Sequence, residues 1–379
     1  MNCISRYIIT LLLTLCIPFI AAKAENASKN IVKIGIMLPL HNVDGDGVRM
    51  IEYYRGMLLA VDELKREGIS TDVHAWNVPA DADIRTTLLN DAAANCDLIF
   101  GPLYSNQVAA LAGFCKSYGI KLVIPFSINS DAVKLVPNVY QIYQDDNQLN
   151  TSAIDAFIER FSKYQPVFVD CADKQSTKGA FTSALRARLD KEDVAYRVTS
   201  LKSSDDDFFK AFSAVKRNVV VLNTGRSPEL GQVLQKLEAL NALYPGRQVS
   251  LFGYNEWFMY LHPYVNAFYK FDTYIPTTYY YNESSSQVKE LETKYVKWFH
   301  EPMQQALPRF ALTGYDQAQF FIRGLVKYGK KFTGTRAQNE YKALQTPLQF
   351  KAISGGGYKN TTFELIHYTP SQSIESISY

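Results

Sequence analysis

The chain reads as an α/β protein built of two Rossmann-like lobes in series, each around a parallel sheet. Three observations predict this. Residues 31–127 alternate strand and helix patterns without a break. From Asp145 the same alternation starts again. No low-complexity tract and no long linker separates the two runs. Alternating strands and helices of this length place parallel strands in one sheet, with a ligand crevice outside the strand C-termini.

The elements follow in order. Ile31 to Leu38 is an apolar strand that Pro39 closes, and a polar loop from His41 to Gly47 comes next. Ile51, Tyr54, Leu58, Val61 and Leu64 recur at helical spacing, and Gly68 stands where a helix commonly ends. Thr71 to Val78 alternates as a strand. Ala82 to Asn95 reads as one helix with Asp83 as its N-cap. Asp97–Phe100 and Leu122–Pro125 are short buried strands on either side of a helix at Asn106–Tyr118, and Val139–Tyr143 is a further strand. In the second run, Thr151–Tyr164, Gly179–Lys191, Asp206–Val215 and Glu229–Leu240 are helical. PVFVDC, Ala195–Leu201, NVVVLN and QVSLFGY are strands. After the β-rich stretch Asp272–Tyr281 come helices at Ser286–His300 and Tyr315–Tyr328. The segment Pro347–Tyr368 reads as a hairpin turning at Gly355-Gly356-Gly357.

Residues 1–24 have the pattern of a secretion signal. Arg6 gives a positive start, Tyr7–Ile20 is apolar, and Ala22-Lys23-Ala24 is a small-x-small cleavage site. Leu15 before Cys16 lacks the small residue that a lipidation site wants there. Of 379 residues, 40 are basic and 37 acidic, and the signal holds two of the basic ones. A balance so near zero gives no reason to expect nucleic acid as a partner. Cys96, Cys115 and Cys171 remain after cleavage, too few for a disulfide scaffold. Cys96 and Cys115 fall at one edge of the sheet, as a bridge or as buried free thiols.

Catalytic and metal motifs fail on context. Gly324-x-x-x-x-Gly329-Lys330 ends in Lys331 and sits at the end of a helix, so the phosphate cradle is missing. Ser213-x-x-Lys216 has no companion motifs and falls in an expected helix. The five histidines show no metal-ligand spacing, and Asp205-Asp206-Asp207 suits a helix N-terminus. No cofactor, metal or catalytic activity is expected. Tyr104, Tyr254, Trp257, Tyr279 and Tyr280 lie at or just past strand ends and suggest an aromatic cleft lining, with ordinary packing as the alternative for each.

The segments KIGIMLPL, YRGMLLAVDELKREG, DLIFGPLYSNQVAALAGFCKSYGIKLVIPFS, VYQIYQDDNQ, LFGYNEWF and RFALTGYDQAQFFIRGL together resemble the type I periplasmic binding proteins, in particular the leucine/isoleucine/valine-binding branch. The resemblance spans nearly all of the chain after residue 24. It implies two lobes joined by a three-strand hinge, with crossings near Gln144, near Pro276 and after Tyr328. Lobe one would take 31–144 plus 282–330, and lobe two 145–281 plus 331–379. It also implies a role as a solute-binding protein of ABC transport, secreted or periplasmic. A small amino-acid-like or peptide-like molecule would be held between the lobes, and a membrane permease would be the partner. Ser105 matches the serine that holds a ligand carboxylate, Ser127 supports it from the next loop, and Glu256, or Asn255 one residue earlier, meets an ammonium. Envelope regulators similar to penicillin-binding-protein activators share the fold, and a cell-wall enzyme would then be the partner.

Overall fold

The computed structural model describes residues 31–126 and 131–379. The predicted signal segment and Ser127 lie outside the described residues.

The first run builds β1 (Val32–Leu38), α1 (Gly45–Arg66), β2 (Thr71–Asn77), α2 (Ile84–Leu88), α3 (Asp91–Ala94), β3 (Leu98–Phe100), α4 (Ser105–Tyr118), β4 (Lys121–Ile124), α5 (Ala132–Leu135) and β5 (Val139–Gln141). The single helix expected over Ala82–Asn95 is two short ones. Asp83 does cap the first, accepting from Arg85 N, but Asn90 caps a second through Ala92 N. An Asn side chain that binds the backbone two residues on offers a turn in place of continued helix, which is why the pattern breaks there.

The second run builds α6 (Asp146–Phe161), β6 (Gln165–Asp170), α7 (Gly179–Lys191), β7 (Arg197–Ser200), α8 (Asp205–Phe209), β8 (Asn218–Leu222), α9 (Ser227–Leu243), β9 (Val249–Phe252), α10 (Leu261–Lys270) and β10 (Thr273–Thr277). Here the helix expected to reach Val215 stops at Phe209. Ser213 Oγ instead accepts from Val215 N and Lys216 N and makes a turn, so Ser213 and Lys216 are not on a helix.

The chain then forms α11 (Ser286–Phe299), α12 (Phe310–Tyr328), β11 (Phe350–Ala352), β12 (Tyr358–Asn360), β13 (Glu364–Tyr368) and β14 (Ile374–Ser378). Two seven-stranded sheets result, in the orders β11-β12-β5-β4-β3-β1-β2 and β14-β13-β10-β9-β8-β6-β7. Each is mostly parallel, with antiparallel pairs at β11–β12, β10–β13 and β13–β14.

Helices α1 and α12 pack closely over one face of the first sheet. A side chain on Gly56 would run into Ala311 O, and one on Gly314 into Tyr53 O. These two glycines set the distance between the helices.

The third crossing departs from expectation. Residues 331–360 belong with the first sheet, not the second, and the chain passes over at 361–363, not after Tyr328. Packing decides it. Phe332 and Phe350 are buried against Phe321 (6.0 and 5.6 Å between ring centres) and Tyr140 (6.5 and 5.3 Å) in the core of the first lobe. The glycine-rich hairpin turn is where it was expected, between β11 and β12.

Three segments therefore join the lobes: 142–145, 278–285 and 361–363. They are tied to one another and to the first lobe. Gln144 Nε2 donates to Thr362 O at 2.7 Å, and Tyr280 N donates to Gln345 O at 2.9 Å. Beneath that second tie lies Asp316 of α12, fully buried. Its carboxylate accepts from Tyr341 Oη and Leu344 N on one oxygen and from Gln345 N and Thr346 N on the other, all at 2.7–2.8 Å.

Cys96, Cys115 and Cys171 are buried free thiols. The Cys96–Cys115 bridge is not formed.

Candidate functional site

Strand direction locates the site. β5 runs out of the first sheet into the first crossing, and β10 runs out of the second sheet into the second crossing. The C-terminal ends of the parallel strands in both sheets therefore meet around the hinge. That is where a crevice at the strand ends belongs.

On the second lobe, three loops supply the wall: 171–178 after β6, 223–226 after β8, and 253–256 after β9. Glu256 and Lys178 form an ion pair at 2.5 Å. The Lys178 ammonium also lies 4.9 Å above the centre of the Tyr254 ring. Tyr254 is buried, and its hydroxyl donates to Leu222 O, so it supports the wall from below. Asn255 is half-buried beside the Tyr279 hydroxyl, and Tyr143 of the first crossing stands nearby. Burial pushes the Tyr279 phenol up to about 12. It stays a neutral donor at any physiological pH.

Trp257 is fully buried and stacked on Phe268, with ring centres 5.5 Å apart. It is core, as is most of Tyr254, and the cleft lining expected of both is not where they sit. The reason is local: Asn255–Tyr260 is a 3-10 helix, whose tight turn directs Trp257 back under the loop. Tyr280 packs against Phe258 of the second lobe, with ring centres 5.5 Å apart.

On the first lobe, Ser105 is exposed and opens the fourteen-residue helix α4. The positive end of a helix dipole favours an anion. Tyr104 caps the helix in an extended conformation, and its hydroxyl donates to Asp46 Oδ2 at 3.2 Å. Burial, followed by the Asp46 charge, raises that phenol to about 12. Asp46 in turn pairs with Arg49. An aromatic run connects this side to the hinge. Tyr53 meets Phe126 at 5.2 Å, and Phe126 meets Phe310 and Tyr143 at 5.9 and 6.1 Å. Phe126 and Phe310 were not singled out from the sequence. Their signal was their position, one just past a strand and one at a helix start.

A cavity of about 610 Å³ lies elsewhere, at the N-terminal edge of the first sheet, among Asp97, Lys121, Asn138 and Phe332. Strand topology outweighs its size. Lys121 there donates to Phe332 O at 2.7 Å and to Lys330 O and Tyr140 Oη at 3.3 Å, so its ammonium holds a turn in place. Burial lowers it to about 8. Among the described residues, no group of three or more His, Cys, Asp or Glu could hold a metal.

No protein-family model matches the chain, and no curated protein matches it. Solved structures do. A putative branched-chain amino acid ABC transporter protein from Rhodospirillum rubrum superposes with a TM-score of 0.58 at 15% identity, over 92% of this chain and 100% of that one. This is the type I periplasmic binding protein fold. An ABC transporter substrate-binding protein from Sphaerobacter thermophilus, at a TM-score of 0.48 and 15% identity, covers 92% of this chain and 97% of its own. A branched-chain amino acid ABC transporter periplasmic ligand-binding protein from Burkholderia xenovorans, at 0.49 and 11%, covers 91% and 94%.

Proposed function

We propose that this protein is a secreted or periplasmic solute-binding protein that captures a small acid between its lobes without transforming it. The observation that carries the reading is the opposed strand C-termini around three tied crossings. A hinge of that kind lets two lobes close on a ligand. The ligand is amino-acid-like or peptide-like, with its carboxylate at the N-terminus of α4 beside Ser105. Tyr279, Asn255 and the Lys178–Glu256 pair face it from the hinge and the second lobe. A membrane permease is the partner that fits a receptor of this kind. The type I fold shared with the Rhodospirillum rubrum protein agrees with this role, and residues 1–24 agree with export. Ser105, Tyr104 and Lys178 form no nucleophile–base constellation, so the reading is capture and not catalysis.

The test is a thermal-shift screen over amino acids, acylated and hydroxy acids, short peptides and cell-wall fragments. A ligand at a hundred times its Kd stabilises the folded form by about 2.7 kcal/mol. In a chain of this size that raises Tm by a few degrees. Ser105→Ala should then weaken the hit about ten- to a hundredfold, the worth of a hydrogen bond to a charged group. Silence across the whole library would overturn solute capture and favour the envelope-regulator reading.

A further inference from the structure

We infer that the second-lobe wall of the cleft is built to receive a hydrogen-bond acceptor and to refuse an ammonium, so the captured acid carries an acylated or hydroxyl group where an amino acid carries its amine. The inference rests on the solute-capture reading above and deepens it.

Glu256 is the acidic residue on this wall that the sequence offered for an amine. Neither of its oxygens is available to one. Oε1 is taken by Lys178 at 2.5 Å. Oε2 is turned inward, buried and without a hydrogen bond. A Cβ on Gly225 would lie 3.4 Å from it. The 40% of the Glu256 side chain that remains exposed is therefore not a free carboxylate oxygen.

Lys178 is held in place from three directions. Its ammonium sits over the Tyr254 ring as well as on Glu256. Its backbone N–H donates to Ser176 Oγ at 3.0 Å, and that hydroxyl donates to Asn223 O at 2.6 Å, which anchors the loop to the end of β8. Gly225 packs beside the lysine stem, where a Cβ would stand in van der Waals contact with Lys178 Cε at 3.4 Å. A long side chain fixed by an ion pair, a ring face and an anchored backbone is a part of the wall.

The electrostatic consequence is direct. A ligand ammonium that seeks Glu256 must compete with the Lys178 ammonium for the same carboxylate, and like charges at contact repel strongly in a partly desolvated cleft. To bind, it would have to displace Lys178 and leave that cation unpaired. The Lys178 side chain is 23% exposed, and a carbonyl or hydroxyl oxygen can accept from its ammonium with no charge conflict. Further along the wall, Arg226 is shared between Asp173 at 3.3 Å and Glu229 at 3.9 Å and so is held away from the Lys178–Glu256 pair.

Matched probes test this by calorimetry: L-leucine, N-acetyl-L-leucine and 2-hydroxy-4-methylpentanoate, which share a carboxylate and a side chain. The wild-type chain should bind at least one of the two amine-free acids tenfold or more tightly than leucine. Lys178→Met frees Glu256 and should reverse that order. Glu256→Gln should keep the wild-type order, because the carboxylate does not touch the ligand. Wild-type preference for leucine, or an unchanged order in Lys178→Met, overturns the inference while leaving solute capture standing. Loss of binding for leucine alone in Glu256→Gln overturns it as well. Silence from all three probes in every variant, together with silence across the wider library, overturns solute capture and this inference with it. Melting curves of both variants confirm that each is folded before its affinities are read.

Discussion

Two buried carboxylates, one in each lobe, solve the same problem in opposite ways. Asp316 in the first lobe is fully buried among neutral donors: one hydroxyl and three backbone N–H groups. Asp272 in the second lobe is nearly as buried but sits among an arginine, a histidine ring and one hydroxyl. His367 Nε2 lies 2.7 Å from Oδ1, while Ser250 Oγ and an Arg217 nitrogen reach Oδ2 at 2.7 and 3.1 Å. Burial dominates at Asp316 and raises its pKa to about 6, with the four donors opposing. At Asp272 burial also acts upward, yet His367, Ser250 and Arg217 together bring the net shift below the ordinary value. Dipoles alone leave a buried charge costly, and dipoles with cations do not. The first arrangement fixes a strap at the hinge, since Asp316 holds residues 341–346. The second ties β9, β10 and β13 within one sheet.

The largest expected effect breaks the first arrangement. Asp316→Asn puts an amide NH2 where Gln345 and Thr346 both donate, so two buried N–H groups lose their acceptor. At roughly 1–3 kcal/mol each, the loss should be about 2–6 kcal/mol by chemical denaturation. A loss under about 1 kcal/mol would show that the strap relaxes freely. The next effect is on the second lobe. Asp272→Asn at neutral pH should cost about 1.5–3 kcal/mol, and its deficit should shrink below pH 4. The sign follows from linkage: a lowered folded-state pKa gives stability that is present above the unfolded pKa and is lost as pH falls.

Asp316 should show the reverse dependence. Its pKa is raised in the folded state, so its contribution is fully present below about 4 and is lost as pH rises through about 6. Wild-type stability minus that of Asp316→Asn, measured between pH 4 and 7, should fall across that window. A flat or rising difference contradicts the assignment. The smallest effect sharpens the contrast. Tyr341→Phe removes one donor of four from Asp316 and should cost about 1–2 kcal/mol. It should also move the titrating limb upward, readable in the same pH series. Ser250→Ala, a loss of similar size, should instead move the Asp272 limb toward its ordinary range.

Much of this architecture was written in the local pattern. Apolar runs such as NVVVL and LIF, each bounded by turn residues, could only be buried parallel strands, and the restart after Asp145 gave the second lobe. The third crossing was not legible. Phe332 and Phe350 look like any apolar residues in sequence, and only their fit around Tyr140 and Phe321 assigns 331–360 to the first lobe. The break between α2 and α3 was legible in principle, in Asn90. At the site, the family resemblance offered Glu256, or Asn255 one residue earlier, but not Lys178, the partner that Glu256 holds. A lysine 78 residues away carries no periodic or motif signal that it will close an ion pair across two loops. Trp257 was misplaced because a 3-10 turn rotates side chains differently from the extended loop its position suggested.

The route of the chain after residue 349 also bears on the order in which the molecule can be assembled. Residues 350–378 supply two strands to each sheet, β11 and β12 to one and β13 and β14 to the other. A chain emerging N-terminus first therefore completes the two sheets within a few residues of each other, the first by Asn360 and the second from Glu364 onward. Until those residues arrive, β5 and β10 are open edges, and open edges invite pairing with foreign strands. For a chain whose first residues resemble an export signal, neither sheet can close before its strands from residues 350–378 have joined it.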